Sequence, residues 1–585
     1  MNRKWNIRPT VPGNLLEKFP ELEPILLQLL FARGIQEQPE IDAFLEPDYP
    51  RDVHDPFLFR DMRIAVERIA RAITAKERIV VYGDYDADGV CASAVLVGTL
   101  KALGGNVDVY IPFRETEGYG LNIAAVDELH NTGTTLIVTV DCGTTNAPEV
   151  AHAREYGIDV IVTDHHDEPS VMPSPVALVN PELSRETYPE KHLSGTGVAY
   201  KVACALLTHT SYGAKLGMTA LPTGWEKWLL DLVAIATVTD MVPMLGENRV
   251  LTSFGLSVLK KGRRIGIRAL FTTMRSTLEE TDEEVIGFQI GPRLNAAGRM
   301  QHASTAFELL TTTDRDEAMK LAAELSQKNT ERQKITESIV QEALQQIGDS
   351  PTGALLYAVG TDWPAGVVGL VAGKLVERFN RPALVFTKAH GRYTGSGRSI
   401  DAFDITAALK QTADMLDRFG GHPQACGLSV KDGVDPRVLG VKLEDIARRA
   451  LDHADVTPTV DIDAEVVLDD INWKLVEDVQ RLAPFGIDAE RPRFLARGVR
   501  VVAVDTVGKE GKHLRLHVSH ATSEIRKTIG FRFGTWVERL KPGDSVDLVF
   551  EVGVNEWNGN REIELKLVDL DHSAEPESTA YYQYG

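Results

Sequence analysis

The stretch Ile79-Val80-Val81-Tyr82-Gly83-Asp84-Tyr85-Asp86-Ala87-Asp88-Gly89-Val90 constrains the chain most. Its apolar residues read as a short buried strand. Three carboxylates then follow on alternate positions, and an alanine-rich apolar run from Val90 to Leu103 reads as a helix. Alternate spacing on an extended turn points Asp84, Asp86 and Asp88 towards one pocket. Carboxylates held together repel unless a cation lies between them or a proton is shared. Oxygen-rich clusters suit hard divalent ions such as Mg2+ or Mn2+. Asp-x-Asp-x-Asp-Gly also opens an EF-hand calcium loop, but that loop needs a bidentate Glu at its twelfth position. Here that position is Val95, inside the apolar run, which excludes the calcium loop. A solvated acidic turn would carry the same three residues, and the rest of the chain decides against it.

From 76 to 270, strand and helix patterns alternate, with strands expected at Ile79–Tyr82, Val107–Ile111, Thr135–Val140 and Val160–Thr163. Such alternation implies a parallel sheet covered on both faces, with ligands at the C-terminal ends of the strands. The polar residues fall at those ends: Asp84 to Asp88 after the first strand, Asp141-Cys142-Gly143 after the third, Asp164-His165-His166 after the fourth. The segment Trp228 to Asp240 is apolar almost all round and so reads as a buried helix. Asp240 leaves it as an ionisable group that needs a partner or a metal. Singly, Asp141 would cap a helix and His165 would be a satisfied core histidine. Together, three strand ends and one helix end deliver metal-ligand chemistry to one edge.

These motifs resemble a known family. Gly83-Asp84-Tyr85-Asp86-Ala87-Asp88-Gly89, Val140-Asp141-Cys142-Gly143, Asp164-His165-His166 and Thr239-Asp240-Met241-Val242-Pro243 resemble the successive motifs of the DHH phosphoesterase superfamily. The downstream chain resembles its RecJ branch, the single-strand-specific exonucleases, and the likeness runs from about residue 50 to 570.

The remaining chain divides accordingly. Residues 1–75 read as a mostly helical packing segment, 76–270 as the DHH catalytic domain, and 271–349 as a helical connector whose long helix, Asp316 to Ile347, joins two lobes. Within the connector, Ile290-Gly291-Pro292-Arg293-Leu294-Asn295-Ala296-Ala297-Gly298-Arg299 is glycine-flanked and carries two guanidinium forks suited to phosphate. It matches the Arg-x-Asn-Ala-Ala-Gly-Arg motif of RecJ proteins, which implies substrate contacts at Arg293, Asn295 and Arg299. Residues 350–455 form a second α/β unit. Its motifs Gly395-Ser396-Gly397-Arg398-Ser399 and Gly420-Gly421-His422-Pro423 resemble the DHHA1 substrate-binding domain. Where RecJ proteins often carry Trp-His, this chain has Trp363-Pro364.

Residues 459–570 alternate short strands and turns, which predicts an OB-fold β-barrel. The whole chain carries a net charge of −21, which argues against a general polyanion binder. Between 490 and 532, however, ten Lys or Arg stand against four Asp or Glu. That local surplus makes Arg515, Arg526 and Lys527 expected strand contacts. Phe531, Phe533, Trp536 and Trp557 are expected stacking platforms, with barrel-core packing the expected role for at least half of them. Residues 571–585 read as a disordered tail.

The expected fold is thus α/β, two lobes (DHH and DHHA1) joined by a long helix, with a C-terminal OB barrel. No uncharged run approaches the roughly 20 residues of a membrane helix, and the charged N-terminus is followed by no apolar core of the kind a signal peptide needs. Four scattered cysteines without a Cys-x-x-Cys pair argue against zinc and against a disulfide framework. A cytoplasmic setting is expected.

The resemblance implies a metal-dependent exonuclease on single-stranded DNA, 5′-to-3′, releasing 5′-mononucleotides, in DNA repair and recombination. Two Mn2+ or Mg2+ ions, roughly 3.5 to 4 Å apart, would clamp the scissile phosphate. By resemblance Asp84 and Asp86 serve one ion and Asp88, His165 and Asp240 the other, with Asp141 bridging. His166 and His422 act at the phosphate or leaving group, and Arg114, Ser396, Arg398 and His422 gather at the 5′ terminal phosphate. A single-strand-binding protein or a helicase is a possible partner class. The alternatives are a DHH phosphodiesterase acting on short oligonucleotides or cyclic dinucleotides, and a scaffold of the same superfamily without its metal ligands. Every ligand position is filled here, which ranks the scaffold last.

Overall fold

A computed structural model describes residues 3–213, 218–389, 391–520, 524–557 and 560–573, without the side chains of 209–213 and 557. The tail beyond 573 and the expected platform Trp557 therefore lie outside the described residues. By internal packing the chain forms two units, residues 49–456 and residues 1–48 together with 457–585.

In the larger unit, Arg78–Tyr82 heads a five-stranded, all-parallel sheet in the order Asn106–Tyr110, Arg78–Tyr82, Leu136–Val140, Asp159–Thr163, Ala177–Val179. Val80, Val81, Ile137, Val138, Ile161 and Val162 are fully or almost fully buried, as strands covered on both faces require. The chain steps from Arg78–Tyr82 outward to Asn106–Tyr110, then back across to Leu136–Val140 on the other side. That reversal leaves a crevice at the C-terminal ends of Arg78–Tyr82 and Leu136–Val140. Asp84, Asp86 and Asp88 leave the first of these strands and Asp141 the second.

The sheet is covered by helices that are buried almost all round. Ala87–Ala102 and Leu230–Thr239 have a hydrophobic face on every side and pack on each other. Burying each Val or Leu in them contributes about 1.5–3 kcal/mol, so the helices that carry Asp88 and Asp240 are rigid core elements. The 33-residue helix Arg315–Ile347 begins at the capping carboxylate of Asp314 and packs on both lobes. The second lobe holds a mixed sheet in the order Leu416–His422, Ala425–Val430, Arg392–Arg398, Ala383–Ala389, Leu356–Val359, in which only the last two are parallel to each other. Trp363, at the departure from the family pattern, is buried. Its indole donates to Glu342 on the long helix at 2.9 Å, so it fixes that helix to the second lobe.

Residues 1–75 do not stay together as one segment. The helix Met62–Thr74 is part of the catalytic core. The first residues join the C-terminal unit instead: strand Lys4–Ile7 pairs in parallel with Thr459–Ile462, and Gln28 donates to Asp463 O at 2.9 Å. A 3.6-residue apolar pattern reports a buried helix face but not what buries it.

The C-terminal unit contains strands in the order Ala464–Glu465, Arg493–Val507, His513–Ser519, Arg526–Gly530, Asn560–His572, Ser545–Trp557. The last pairs back onto Arg493–Val507, which closes a five-strand barrel. Part of its basic surplus is paired with carboxylates on neighbouring strands. Arg515 pairs with Asp505 at 2.6 Å, Arg497 with Asp547 at 3.2 Å and with Glu465 at 3.2 Å, and Arg493 with Glu551 at 3.7 Å. Arg526 is bound to the carbonyl of Ile471 at 2.7 Å and paired with Glu524 at 3.3 Å. Arg515 and Arg526 are therefore engaged within the barrel surface rather than held free for a strand. Phe531 is exposed beside Phe533 and Trp536 in a groove of about 1000 Å³ that Arg3, Trp5 and Arg539 also line.

Candidate metal centre

The crevice gathers the predicted ligands. Asp84, Asp86 and Asp141 offer oxygens within 4.8 Å of one another, and Asp88, His165 and Asp240 form a second such set. The two sets adjoin. Nε2 of His165 lies 3.0 Å from Oδ1 of Asp141, 3.8 Å from Asp88 and 3.7 Å from Asp240. Asp141, His165 and His166 make a third overlapping group. Asp84, Asp88 and Asp141 are at most 5% exposed. Oδ1 of Asp84 is buried with no hydrogen-bond partner.

Local backbone explains how these groups are aimed. Asp86 caps the helix Ala87–Ala102, accepting from the amides of Asp88 and Gly89 at 3.0 and 3.1 Å. Asp88 is gripped by the amides of Gly195 and Thr196 at 2.7 and 2.8 Å, where the helix Gly195–Gly213 begins. Asp141 has φ +60°, a conformation L residues seldom adopt. Its amide donates to Thr163 O at 3.1 Å, which holds the strained turn in place.

Asp164 of the Asp-His-His motif has a different task. Its carboxylate accepts from Thr144 N, His165 N and His166 Nδ1 at 2.9, 2.8 and 2.8 Å, and so orients both histidines. Burial opposes its ionisation, but the hydrogen bond and charge of His166 outweigh burial and hold the carboxyl below the usual range. Reciprocally, burial would lower His166, yet its bond to Asp164 and that carboxylate's charge raise it to about 9. The other acids move the opposite way. Burial, then the charge of Asp86, raises Asp84, and burial, then Asp88 and Asp86, raises Asp141. Burial, then Asp88, lifts Asp240 to about 8. A cluster that resists its own ionisation is one that favours a cation between its members.

The Arg-x-Asn-Ala-Ala-Gly-Arg segment is helical over Gly291–Met300 and braces this centre. Oδ1 of Asn295 accepts from Ala87 N at 2.8 Å. A side chain at Gly298 would collide with the carbonyl of Tyr85, so only glycine lets this helix lie flat on the carboxylate turn. Arg293 donates to Gln289 O at 2.7 Å and to Ser326 at 3.3 Å. Asn295 Oδ1 and two nitrogens of Arg293 are thus engaged within the protein, and Asn295 Nδ2 and Arg293 Nη2 are not part of these bonds. Arg299 is the member that remains near the centre. It donates to Gly366 O at 3.1 Å, and a side chain at Gly366 would strike the Arg299 carbonyl, so the two lobes meet here. Burial, then the neighbouring Arg114 and Arg332, pushes Arg299 down to about 9.

The second lobe brings Ser396 and Arg398 to the same cleft. Arg398 donates to Gly397 O at 2.8 Å and to Ser396 Oγ at 3.3 Å. Asp401 is bound by Gln424 and Asp404 caps its own helix, so neither pairs with Arg398. Arg114 sits over the Tyr85 ring, 4.9 Å from its centre, and its charge is felt by Asp84, Arg299 and Arg398. His422 is exposed and lies 3.1 Å from Asp167, one residue past His166, so it bridges the lobes at the rim rather than entering the carboxylate cluster.

Sequence reading missed Tyr119. Its Oη lies 3.0 Å from His166 Nδ1 and donates to Asp141 O at 3.2 Å. The signal was the pair of glycines around it: Gly118 and Gly120 both have positive φ, which turns the loop and projects Tyr119 into the centre.

Three family models match the chain: the DHH family N-terminal domain over residues 78–237, the DHHA1 domain over 352–453 and the RecJ OB domain over 462–569. Among characterised proteins, the single-stranded-DNA-specific exonuclease RecJ of Bacillus subtilis is 37% identical over 553 residues, covering 94% of this chain and 68% of that one. The protein of the same description from Dickeya dadantii is 34% identical over 583 residues, covering 96% of this chain and 98% of its own length. The crystal structure of RecJ from Thermus thermophilus in complex with Mn2+ superposes with a TM-score of 0.83 at 28% identity, covering 98% of this chain and 80% of that chain. The dinucleotide and scaffold readings do not call for the third domain, whereas the full series of DHH, DHHA1 and RecJ OB domains, matched nearly end to end, does identify its bearer: the chain belongs to the RecJ family.

Proposed function

We propose that this chain is a divalent-metal-dependent exonuclease that degrades single-stranded DNA from its 5′ end and releases mononucleotides. The observation that carries the reading is the pair of adjoining ligand sets, Asp84–Asp86–Asp141 and Asp88–His165–Asp240, at the sheet's crevice. The residues fit Mn2+ or Mg2+: the donors are carboxylates plus imidazole, they are buried and mutually repelling, and one oxygen of Asp84 has no other partner. Bound there, such ions polarise the phosphate and supply an activated water.

The chain's own groups divide the remaining work. Asp141 belongs to the first set and touches the second through His165. Asp88 is aimed by the Gly195 and Thr196 amides. His166, whose Nδ1 is held by the Asp164 carboxylate at 2.8 Å, suits a donor through its other nitrogen to a phosphate oxygen or to the leaving oxygen. Tyr119 fixes the plane of that imidazole. Tyr119→Phe removes the hydroxyl's contacts with His166 and with Asp141 O, of which the first, worth about 0.5–1.5 kcal/mol, bears on the imidazole, so kcat should fall roughly three- to tenfold with KM little changed. Steady-state kinetics that show only a KM effect would remove Tyr119 from this role.

Polarity is assigned to an anchor for the terminal phosphate built by Arg114, Ser396 and Arg398. A charge-assisted contact of this kind is worth about 1.5–3 kcal/mol, or roughly ten- to a hundredfold in affinity. Arg398→Ala should reduce the preference for a 5′-phosphorylated over a 5′-hydroxyl strand by that factor, read as the ratio of kcat/KM values. An equal loss on both strands would dismiss the anchor. For its setting, all four cysteines are free and three are buried, which supports a reducing compartment such as the cytoplasm. No helix among the described residues is long and apolar enough to cross a membrane.

A further inference from the structure

The helix Arg315–Ile347, a connector by sequence, carries a cation that its connecting role does not use. Arg332 is half-buried on the face that also holds the buried Leu325, Asn329 and Thr336. The only hydrogen bond of its guanidinium among the described residues is from Nη2 to Asn329 Oδ1 at 2.8 Å, a neutral group one turn away on its own helix. Nε is buried and has no partner. No ion pair of Arg332 occurs among the described residues, although the chain holds 84 acidic residues against 63 basic ones and Glu331 beside it pairs with Lys328. A guanidinium at an internal face without a carboxylate is costly unless an anion arrives.

Arg332 is close enough to Arg299 for their charges to act on each other, and Arg299 in turn feels Arg114, Arg398 and Asp86. None of these four arginines is in an ion pair among the described residues. They come from four different elements: the loop after Asn106–Tyr110, the helix Gly291–Met300, the long helix, and the strand Arg392–Arg398. The helix Gly291–Met300, which carries Arg299, packs directly on the long helix, which carries Arg332. The long helix therefore adds a cation to this group from a side that Arg114 and Arg398 do not occupy.

We infer that Arg332 is a substrate-binding residue: with Arg299 it seats a backbone phosphodiester of the single strand, separate from the terminal-phosphate seat of Arg114, Ser396 and Arg398. The inference rests on the strand-degrading function proposed above. It makes the long helix a wall of the substrate path, so that lobe spacing and strand position are set by one rigid element. A diester carries one charge, and two guanidinium forks without counter-ions suit it.

The test is binding of 3′-labelled oligothymidylate, with either a 5′-phosphate or a 5′-hydroxyl, to the full chain in EDTA across a salt series. Parent protein must bind with an affinity that falls as salt rises; if it does not, the proposed function itself fails. Given that, Arg332→Ala should weaken both strands by the same factor, about tenfold, and flatten the log–log salt slope by about 0.7, the loss of one phosphate contact on a single strand. Arg332→Lys keeps the charge and should restore the slope. Unchanged affinity and slope, or an affinity loss with an unchanged slope that lysine does not recover, would make Arg332 a structural residue. A loss confined to the 5′-phosphorylated strand would move it to the terminal seat. Either result overturns the inference.

Discussion

Replacing Asp141 is expected to abolish hydrolysis, lowering kcat on the order of 10³-fold or more, about 4 kcal/mol of transition-state stabilisation. Asp141 offers an oxygen to the Asp84–Asp86 set and lies 3.0 Å from His165 of the other, so its loss disturbs both sets at once. Strand binding should persist, because Arg114, Arg299 and Arg398 are untouched. The choice of variant follows from the backbone. Alanine at φ +60° costs about 1–2 kcal/mol, whereas asparagine tolerates that region and keeps the shape of the side chain. Both remove one of several buried, mutually repelling carboxylates, which favours the metal-free fold. Asp141→Asn should therefore be folded, strand-binding and inactive. Labelled-strand turnover within a few-fold of the parent, with anisotropy showing normal binding, would refute the shared-ligand assignment.

The clustering of these carboxylates and His165 was legible in the sequence because each sits at the end of an element whose apolar pattern is unambiguous. A strand that is buried on both faces and then turns acidic can deliver its acids only to the sheet edge. The supporting groups were not legible in the same way. Asn295 and Arg293 share a motif with Arg299 and have side chains of the kind that contact phosphate. Only the packing of Gly298 on Tyr85 shows that this helix braces the carboxylate turn. Asp164 stands in the Asp-His-His motif beside a ligand, and its three donors make it the support of both histidines instead.

Long-range pairing was the other hidden term. The basic run from 490 to 532 is real in composition. Its arginines nevertheless meet Glu465, Asp547 and Glu551, partners that become neighbours only when the barrel closes. The same blindness worked in reverse for Arg332. In sequence it lies among Glu331, Lys334 and other charges of a solvated helix, and nothing local marks it as a cation without a carboxylate. Counting charge along a chain estimates a surface potential only where the partners are local. The first 48 residues are a third case, since the strand that fixes their place, Thr459–Ile462, lies over 400 residues away.

Removing divalent ions should destabilise the catalytic unit in a pH-dependent way. Without metal, Asp84, Asp88, Asp141 and Asp240 have folded-state pKa values above their unfolded values near 4. Between that value and about 8, where Asp240 titrates, the native state therefore holds protons that the unfolded chain has released. Stability must then fall as pH rises through this window. His165 and His166 add to the fall: their folded pKa values are also raised, so their contribution is complete below about 6.5 and is lost as pH rises, for His166 through about 9. Metal binding needs the carboxylates ionised and the His165 imidazole neutral, so the ion binds more tightly over the same interval. The two trends widen the gap between loaded and metal-free protein as pH increases. At a free ion concentration of about 100 times Kd the gain is about 2.7 kcal/mol, or on the order of 3 °C in the melting temperature of a unit spanning residues 49–456. Thermal unfolding in Mn2+ and in EDTA at pH 5 and pH 8 measures it. The midpoints should nearly coincide at pH 5 and separate by that amount at pH 8. A separation independent of pH would mean that the ion is not held by these carboxylates.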